Sequence, residues 1–265
     1  MRTTPPIVFL HLFKCGGTSI IDAMGRIVGM ERLYHAKNLE RLRAELADPD
    51  APVNKAAVVA GHMRSDQIAE WFAGAPVFTV LRDPVDRMIS QYFHFRREGA
   101  RLAEDRGPGD RTRGKPAHLF RCQFCQENSF GAFVAASDRR LTAYTRNYMT
   151  RRIAGLTGRQ SRQTGGSMLQ AALAILERLA FVTTTDRIDE DFPGLFKALA
   201  ERQGCDTRAA RFSRPVRRRR NVSHNRPGAA LDLSAETLKT LIANNRDDLA
   251  LHAAARWFDP GSGDS

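Results

Sequence analysis

Pro6-Ile7-Val8-Phe9-Leu10-His11-Leu12-Phe13-Lys14-Cys15-Gly16-Gly17-Thr18-Ser19-Ile20 is the stretch on which the fold turns. Ile7 to Leu10 is a short apolar run of the kind that makes a strand buried on both faces. It stops at a basic residue, a Gly-Gly pair and two hydroxyls, and Ser19 to Val28 then reads as a helix. A strand, a tight glycine turn and a helix in that order aim several backbone N–H groups and the positive end of a helix dipole at one point, which is an anion site. Gly16 and Gly17 lack a Cβ, so a phosphate can approach the main chain of Cys15, Gly16 and Gly17. Lys14 adds a full charge, and Thr18 and Ser19 add donors. The expected anion is a phosphate or phosphosulfate. The nucleotide-triphosphatase loop needs the order G-x-x-x-x-G-K-[ST], and here the lysine precedes the glycines, which disfavours an ordinary ATP or GTP loop.

Outward from this loop the chain alternates strands and helices. Asn38 to Leu46 reads as a charged helix, Ala56 to His62 as a strand ending in Gly61-His62, Gln67 to Phe72 as a brief helix, and Val77 to Leu81 as a third strand that stops at Arg82-Asp83-Pro84. A helix from Asp86 to Arg97 follows. Such alternation predicts an α/β fold, P-loop-like, with a central parallel sheet flanked by helices. Ligands of such sheets sit beyond the carboxyl ends of the strands, where Lys14, His62 and Arg82 are all expected. Residues 98–118, dense in Gly, Pro and Arg, read as a loop or lid. Further helices are expected over Asn128–Ala136, Leu141–Ile153, Met168–Leu179 and Phe192–Gln203, with a fourth strand at Phe181–Thr184. A last helix, capped by Ser234, runs on to Trp257-Phe258.

At 265 residues the chain can bury one large α/β core, and a single domain with an ordered core of residues 5–258 is the expectation. With 41 basic and 29 acidic residues the net charge is +12, which favours anionic partners without choosing among them. Four cysteines are too few for a disulfide framework, and no signal-peptide core or transmembrane-length apolar run is present. A soluble, cytoplasmic protein in a reducing compartment, with no integral membrane association, is the reading.

The second informative stretch is Val80-Leu81-Arg82-Asp83-Pro84-Val85-Asp86-Arg87-Met88-Ile89-Ser90-Gln91-Tyr92. Arg82 closes a strand and Ser90 lies one to two turns into the next helix, so a guanidinium fork and a hydroxyl are placed to hold one phosphate from two sides. Arg87 and Arg97 read as surface charges or packing partners for Asp86 and Glu98. Together the two stretches resemble the sulfotransferase family that uses 3′-phosphoadenosine 5′-phosphosulfate (PAPS), especially the branch of carbohydrate O-sulfotransferases and their bacterial relatives. Phe13-Lys14-Cys15-Gly16-Gly17-Thr18-Ser19 looks like that family's 5′-phosphosulfate loop, although Cys15 stands where a small polar residue is usual. Leu81-Arg82-Asp83-Pro84 through Ser90-Gln91-Tyr92 looks like its 3′-phosphate site. Weaker echoes lie at Ala60-Gly61-His62-Met63, Asn147 to Arg151, Thr185 to Glu190 and Asn221-Val222-Ser223.

The resemblance implies PAPS as co-substrate, a carbohydrate or small-molecule hydroxyl as acceptor, no metal requirement, and Lys14 as the group that stabilises charge on the leaving phosphate. It also implies that Arg220, Asn221 and Ser223 close over the 3′-phosphate. His62, beside a glycine at a strand end, has the ordinary pKa of a general base, and His11 is the alternative. Cys122 and Cys125, with His118 four residues earlier, offer three zinc ligands without a visible fourth and otherwise read as buried thiols. The Arg208–Arg226 segment carries eight arginines and no acid, but lacks the interleaved aromatics of a nucleic-acid reader. No specific nucleic-acid partner is expected. A P-loop-like kinase or nucleotide hydrolase, and a nucleic-acid binder built on Arg208–Arg226, stay as alternatives.

Overall fold

The computed structural model describes residues 4–104, 116–156, 163, 167–202, 204, 231 and 233–258. The Arg208–Arg226 segment, Arg220, Asn221 and Ser223 among it, lies outside them. Two compact units are drawn from the chain, one from Met1–Asp83, Met149–Arg220 and Ala250–Ser265, the other from Pro84–Tyr148 and Asn221–Leu249.

The first unit holds a five-stranded, wholly parallel sheet: β1 Ile7–Leu10, β2 Leu33–Ala36, β3 Val58–Gly61, β4 Val77–Leu81 and β5 Phe181–Thr184, in the order β2-β3-β1-β4-β5. Every residue of β1, β3 and β5 is buried, as strands covered on both faces require. Between them run the helices α1 Gly17–Val28, α2 Leu39–Glu45, α3 Pro52–Lys55 and α4 Ser65–Trp71. The buried residues Ile20, Ile21, Met24, Ile27 and Val28 repeat at helical spacing along α1 and join the core made by Phe9, Phe78, Val80 and Phe181. At about 1.5–3 kcal/mol for each large apolar side chain buried, this cluster is the main source of the unit's stability.

β1 and β4 are neighbours, and their following connections leave in opposite directions. From β1 the chain goes toward β3 and β2; from β4 it goes toward β5. That reversal opens a crevice at the carboxyl ends of β1 and β4, the usual ligand position in such sheets. The strand at Phe181–Thr184 is the fifth rather than the fourth, because β2 was not legible: four residues, three of them only half-buried, form an edge strand without an apolar run.

The second unit contains α5 Pro84–Glu104, α6 Pro116–Glu127, α7 Phe130–Ala135, α8 Arg139–Thr145 and α12 Ala235–Asn244; α9 Tyr148–Ile153 begins in it. α10 Ser167–Leu176 and α11 Ile188–Arg202 belong to the first, and α13 Arg246–Ala255 starts in the second and ends in the first. The loop expected over 98–118 is helical at both ends, since α5 runs to Glu104 and α6 starts at Pro116. Gly99, within that segment, is a close-approach position in α5: a Cβ there would stand 2.7 Å from Gln126 Cδ. The helix expected over Leu141–Ile153 breaks at Asn147, which has φ 41° and whose Oδ1 accepts the N–H groups of Asp247 and Asp248 at the start of α13. The last helix breaks likewise at buried Asn245, whose Nδ2 donates to the carbonyls of Thr145 and Leu241.

Arg87 is not on the surface. It is fully buried, donates from Nη2 to the Tyr144 carbonyl at 2.8 Å, and lies 4.9 Å from the centroid of the Tyr148 ring. It has no ion-pair partner among the described residues, and its Nε and Nη1 are buried without hydrogen bonds. Arg87→Ala removes a large core side chain and orphans a carbonyl, so it is expected to lower stability by about 2–4 kcal/mol in urea denaturation. Arg87→Met, which keeps the stem and removes the cost of desolvating a cation, is expected to lose less than half of that.

Candidate functional site

The loop after β1 is shaped by its backbone. Lys14 has φ 67° and Gly16 φ 78°, both left-handed, so the chain turns sharply before α1. Gly16 is the N-cap and supplies no side-chain cap; the Ser19 N–H turns back to the Gly16 carbonyl at 3.1 Å, and no side chain caps the N–H groups at the start of α1. Gly16 and Thr18 are exposed there, and Lys14 and Ser19 are half-buried. Gly17 answers a different need: a Cβ would stand 1.7 Å from His11 Nε2. Cys15 is fully buried, with its Sγ 3.8 Å from Met149 Sδ and 3.7 Å from the Phe13 carbonyl, so only its backbone faces the crevice.

Arg82 reaches across from β4, its Nη1 donating to the Lys14 carbonyl at 3.2 Å. From β5, Thr185 places its methyl 3.7 Å from the position a Gly16 Cβ would take. Lys14, the glycine turn, Arg82 and Thr185 thus meet over the β1–β4–β5 side of the sheet edge. Thr185 was visible in the sequence only as a faint family echo.

The β1–β3–β2 side is occupied by histidines. His62 Nδ1 stands 2.7 Å from the His11 carbonyl oxygen. A carbonyl can only accept, so Nδ1 carries the proton and Nε2 is left with the lone pair. Phe13 stacks on the His62 ring at 3.6 Å between centroids, His62 meets His11 at 4.1 Å, and His11 stacks on Phe9 at 5.2 Å. A column of rings therefore runs from the core to the site. His35, from the unforeseen strand β2, lies 6.2 Å from His11. Burial pushes His62 down to about 4, with the positive charges of Arg152 and Lys14 acting in the same direction. Burial also holds His11 well below the usual imidazole range, helped by His62, His35 and Lys14.

Of the other expected site residues, Ser90 is half-buried on α5 in the second unit, and Arg220, Asn221 and Ser223 lie outside the described residues. Cys122 and Cys125 are buried on α6, where burial pushes their thiols up to about 11 and about 12. His118 Nε2 is 3.5 Å from Cys122 Sγ, and no group of three or more potential metal ligands occurs among the described residues.

A family model described as the sulfotransferase family matches residues 1–251. The chain belongs to the sulfotransferase family. It is therefore a transferase that moves a sulfuryl group, and its five-stranded parallel sheet flanked by helices is consistent with that family's fold. No curated protein matches it. No described helix of this sulfotransferase is long and apolar enough to cross a membrane.

The histidines predict how the enzyme responds to acid. His11, His35, His62, His118 and His252 are all held below their ordinary pKa, in each case chiefly by burial. As pH falls below the unfolded value of about 6.5, the unfolded chain binds protons that the native state refuses, so stability falls with pH. For His62 this continues until about pH 4. The urea midpoint is expected to drop between pH 7.5 and pH 5, with His62 alone accounting for up to about 2 kcal/mol. His62→Gln is expected to flatten part of that slope.

Proposed function

We propose that this sulfotransferase takes its sulfuryl group from PAPS and delivers it to a hydroxyl of a carbohydrate or small-molecule acceptor. The observation that carries the reading is the pairing of a left-handed, N–H-rich loop at Lys14–Gly16 with a neutral imidazole, His62, whose Nδ1 is fixed by a carbonyl on the adjoining strand end. The main chain of Cys15, Gly16 and Gly17, with Thr18 and Ser19, would hold the 5′-phosphosulfate at the end of α1. Arg82 and Ser90 would grip the 3′-phosphate, with Arg220, Asn221 and Ser223 closing over it. Buried, unbridged cysteines at 15, 122 and 125 fit a reducing compartment, and the cytoplasm is the location we infer.

In this reading the acceptor oxygen attacks sulfur in line, an S–O bond forms, and the bond from sulfur to the phosphate oxygen breaks. The products are the sulfate ester and adenosine 3′,5′-bisphosphate. Lys14 meets the charge that grows on the leaving phosphate, an interaction stronger in the transition state than before it. His62 Nε2 takes the acceptor proton. A base with a pKa of about 4 is weak. It becomes effective only once bonding to sulfur has made the acceptor proton acidic, so proton transfer comes late.

Three outcomes test this. Adenosine 3′,5′-bisphosphate is expected to bind far more tightly than AMP or ATP by calorimetry, and Arg82→Ala to erase most of that preference; equal binding of AMP defeats the donor assignment. Lys14→Ala is expected to cost about 3–4 kcal/mol of barrier lowering, a hundredfold to a thousandfold in single-turnover rate. His62→Ala is expected to cut turnover by about 10² to 10⁴ while nearly preserving nucleotide affinity. Because His62 must be neutral to act, the wild-type rate should fall only as pH drops through about 4, and that limb should vanish in the variant.

A further inference from the structure

The carboxyl edge of the sheet is fastened to the end of α13 by a charge network that the reaction above does not use. Arg187, in the turn after β5, donates from Nη1 to the Arg256 carbonyl at 2.7 Å and from Nη2 to Asp191 Oδ1 at 3.1 Å. The other oxygen of Asp191, at the start of α11, accepts the hydroxyl of Thr183 on β5. In return α13 sends two groups to the same turn: Arg256 Nη2 lies 3.5 Å from Asp186 Oδ2, and His252 Nε2 lies 4.0 Å from Asp186 Oδ1. Asp83, the neighbour of Arg82, also acts electrostatically on His252. A guanidinium on a carbonyl at a helix C-terminus meets the negative end of the dipole, and a fork with two fixed acceptors holds its plane.

Between this clasp and the glycine loop stands Thr185. Its N–H donates to the Leu81 carbonyl at 2.8 Å, one residue before Arg82, and its methyl stands over Gly16. The Arg187 N–H closes the turn on the Thr184 carbonyl at 3.1 Å. Gly16, with no side chain of its own, has Thr185 and Ile20 as the nearest atoms on its open side.

We propose that Arg187 is a positioning residue for the donor loop: by clamping α13 and Asp191 together it fixes the turn whose Thr185 buttresses Gly16, and so keeps the loop's N–H groups in register for the nucleotide's phosphates. The effect on the loop stands on contacts within the free protein. The effect on nucleotide affinity rests on the PAPS reading.

Hydrogen–deuterium exchange of the free enzyme reads the first effect. In Arg187→Ala, peptides covering Phe13–Ile20 are expected to exchange at least about fivefold faster than in the wild type, with a smaller change of the same sign in Asp186→Asn. Arg140→Ala, which breaks an exposed pair with Asp138, is expected to leave them unchanged. If Arg187→Ala does not fold, Asp186→Asn and Arg256→Ala carry the same measurement. Affinity for adenosine 3′,5′-bisphosphate is expected to weaken about tenfold in Arg187→Ala. Faster exchange confined to α11 and α13, with loop exchange and nucleotide affinity as in the wild type, overturns the proposal. A wild type that does not bind the bisphosphate, but whose loop still responds to Arg187→Ala, defeats the donor assignment and leaves the clasp in place.

Discussion

The hydrogen bond from Arg82 to the carbonyl of Lys14 is the contact on which the site depends. A residue with a side chain resists the left-handed region by about 1–2 kcal/mol, and Lys14 occupies it all the same. The bond from the neighbouring strand end helps to hold that turn. It also joins the two strands whose connections part in opposite directions, so the crevice and the bend that fills it are stabilised together. Without the bend, Gly16 could not cap α1 without a side chain, and the helix end would not be open to an anion.

Burial, reinforced by positive charge, accounts for the histidines. Positive charge beside a buried imidazole, here Lys14 for both rings and Arg152 for His62, raises the cost of protonating it. His62 is kept neutral by burial first, with Arg152, His35 and Lys14 acting in the same direction, and His11 by burial first, then by His62, His35 and Lys14. In the proposed chemistry Lys14 therefore has two effects, meeting the charge of the donor and helping burial to keep the base free to accept a proton. The backbone carbonyl of His11 completes this by choosing which nitrogen of His62 is the base.

What could be read in the sequence follows from how local each signal is. β1, β3, β4 and β5 were legible because strands buried on both faces must be short, continuous apolar runs, and the loop after β1 carries its chemistry in consecutive residues. β2 was not legible, because Leu33-Tyr34-His35-Ala36 is half-buried at the sheet's edge and has neither an apolar run nor alternation; His35 went unplaced with it. The helix breaks at Asn147 and Asn245 were hidden for another reason: periodicity runs on across both, and the interruption comes from side-chain bonds to residues about a hundred positions away. The start of the 98–118 segment and Arg87 misled in the same way, since a glycine that lets two helices touch, Gly99, and an arginine sunk in a core are written with the letters of a loop and a surface.

The sheet order has a consequence for how the enzyme is made. β1 leaves the ribosome first, yet it is a central strand, and its partners β3 and β4 are synthesised only later. Thr185, which stands against Gly16 in the loop after β1, follows about a hundred residues after β4, and the helix end that fastens its turn comes later still. The loop after β1 is therefore made before the residues that wall it in the folded unit. Long-range closure of this kind folds slowly, so the apolar strands made early stay unpaired until the later ones arrive.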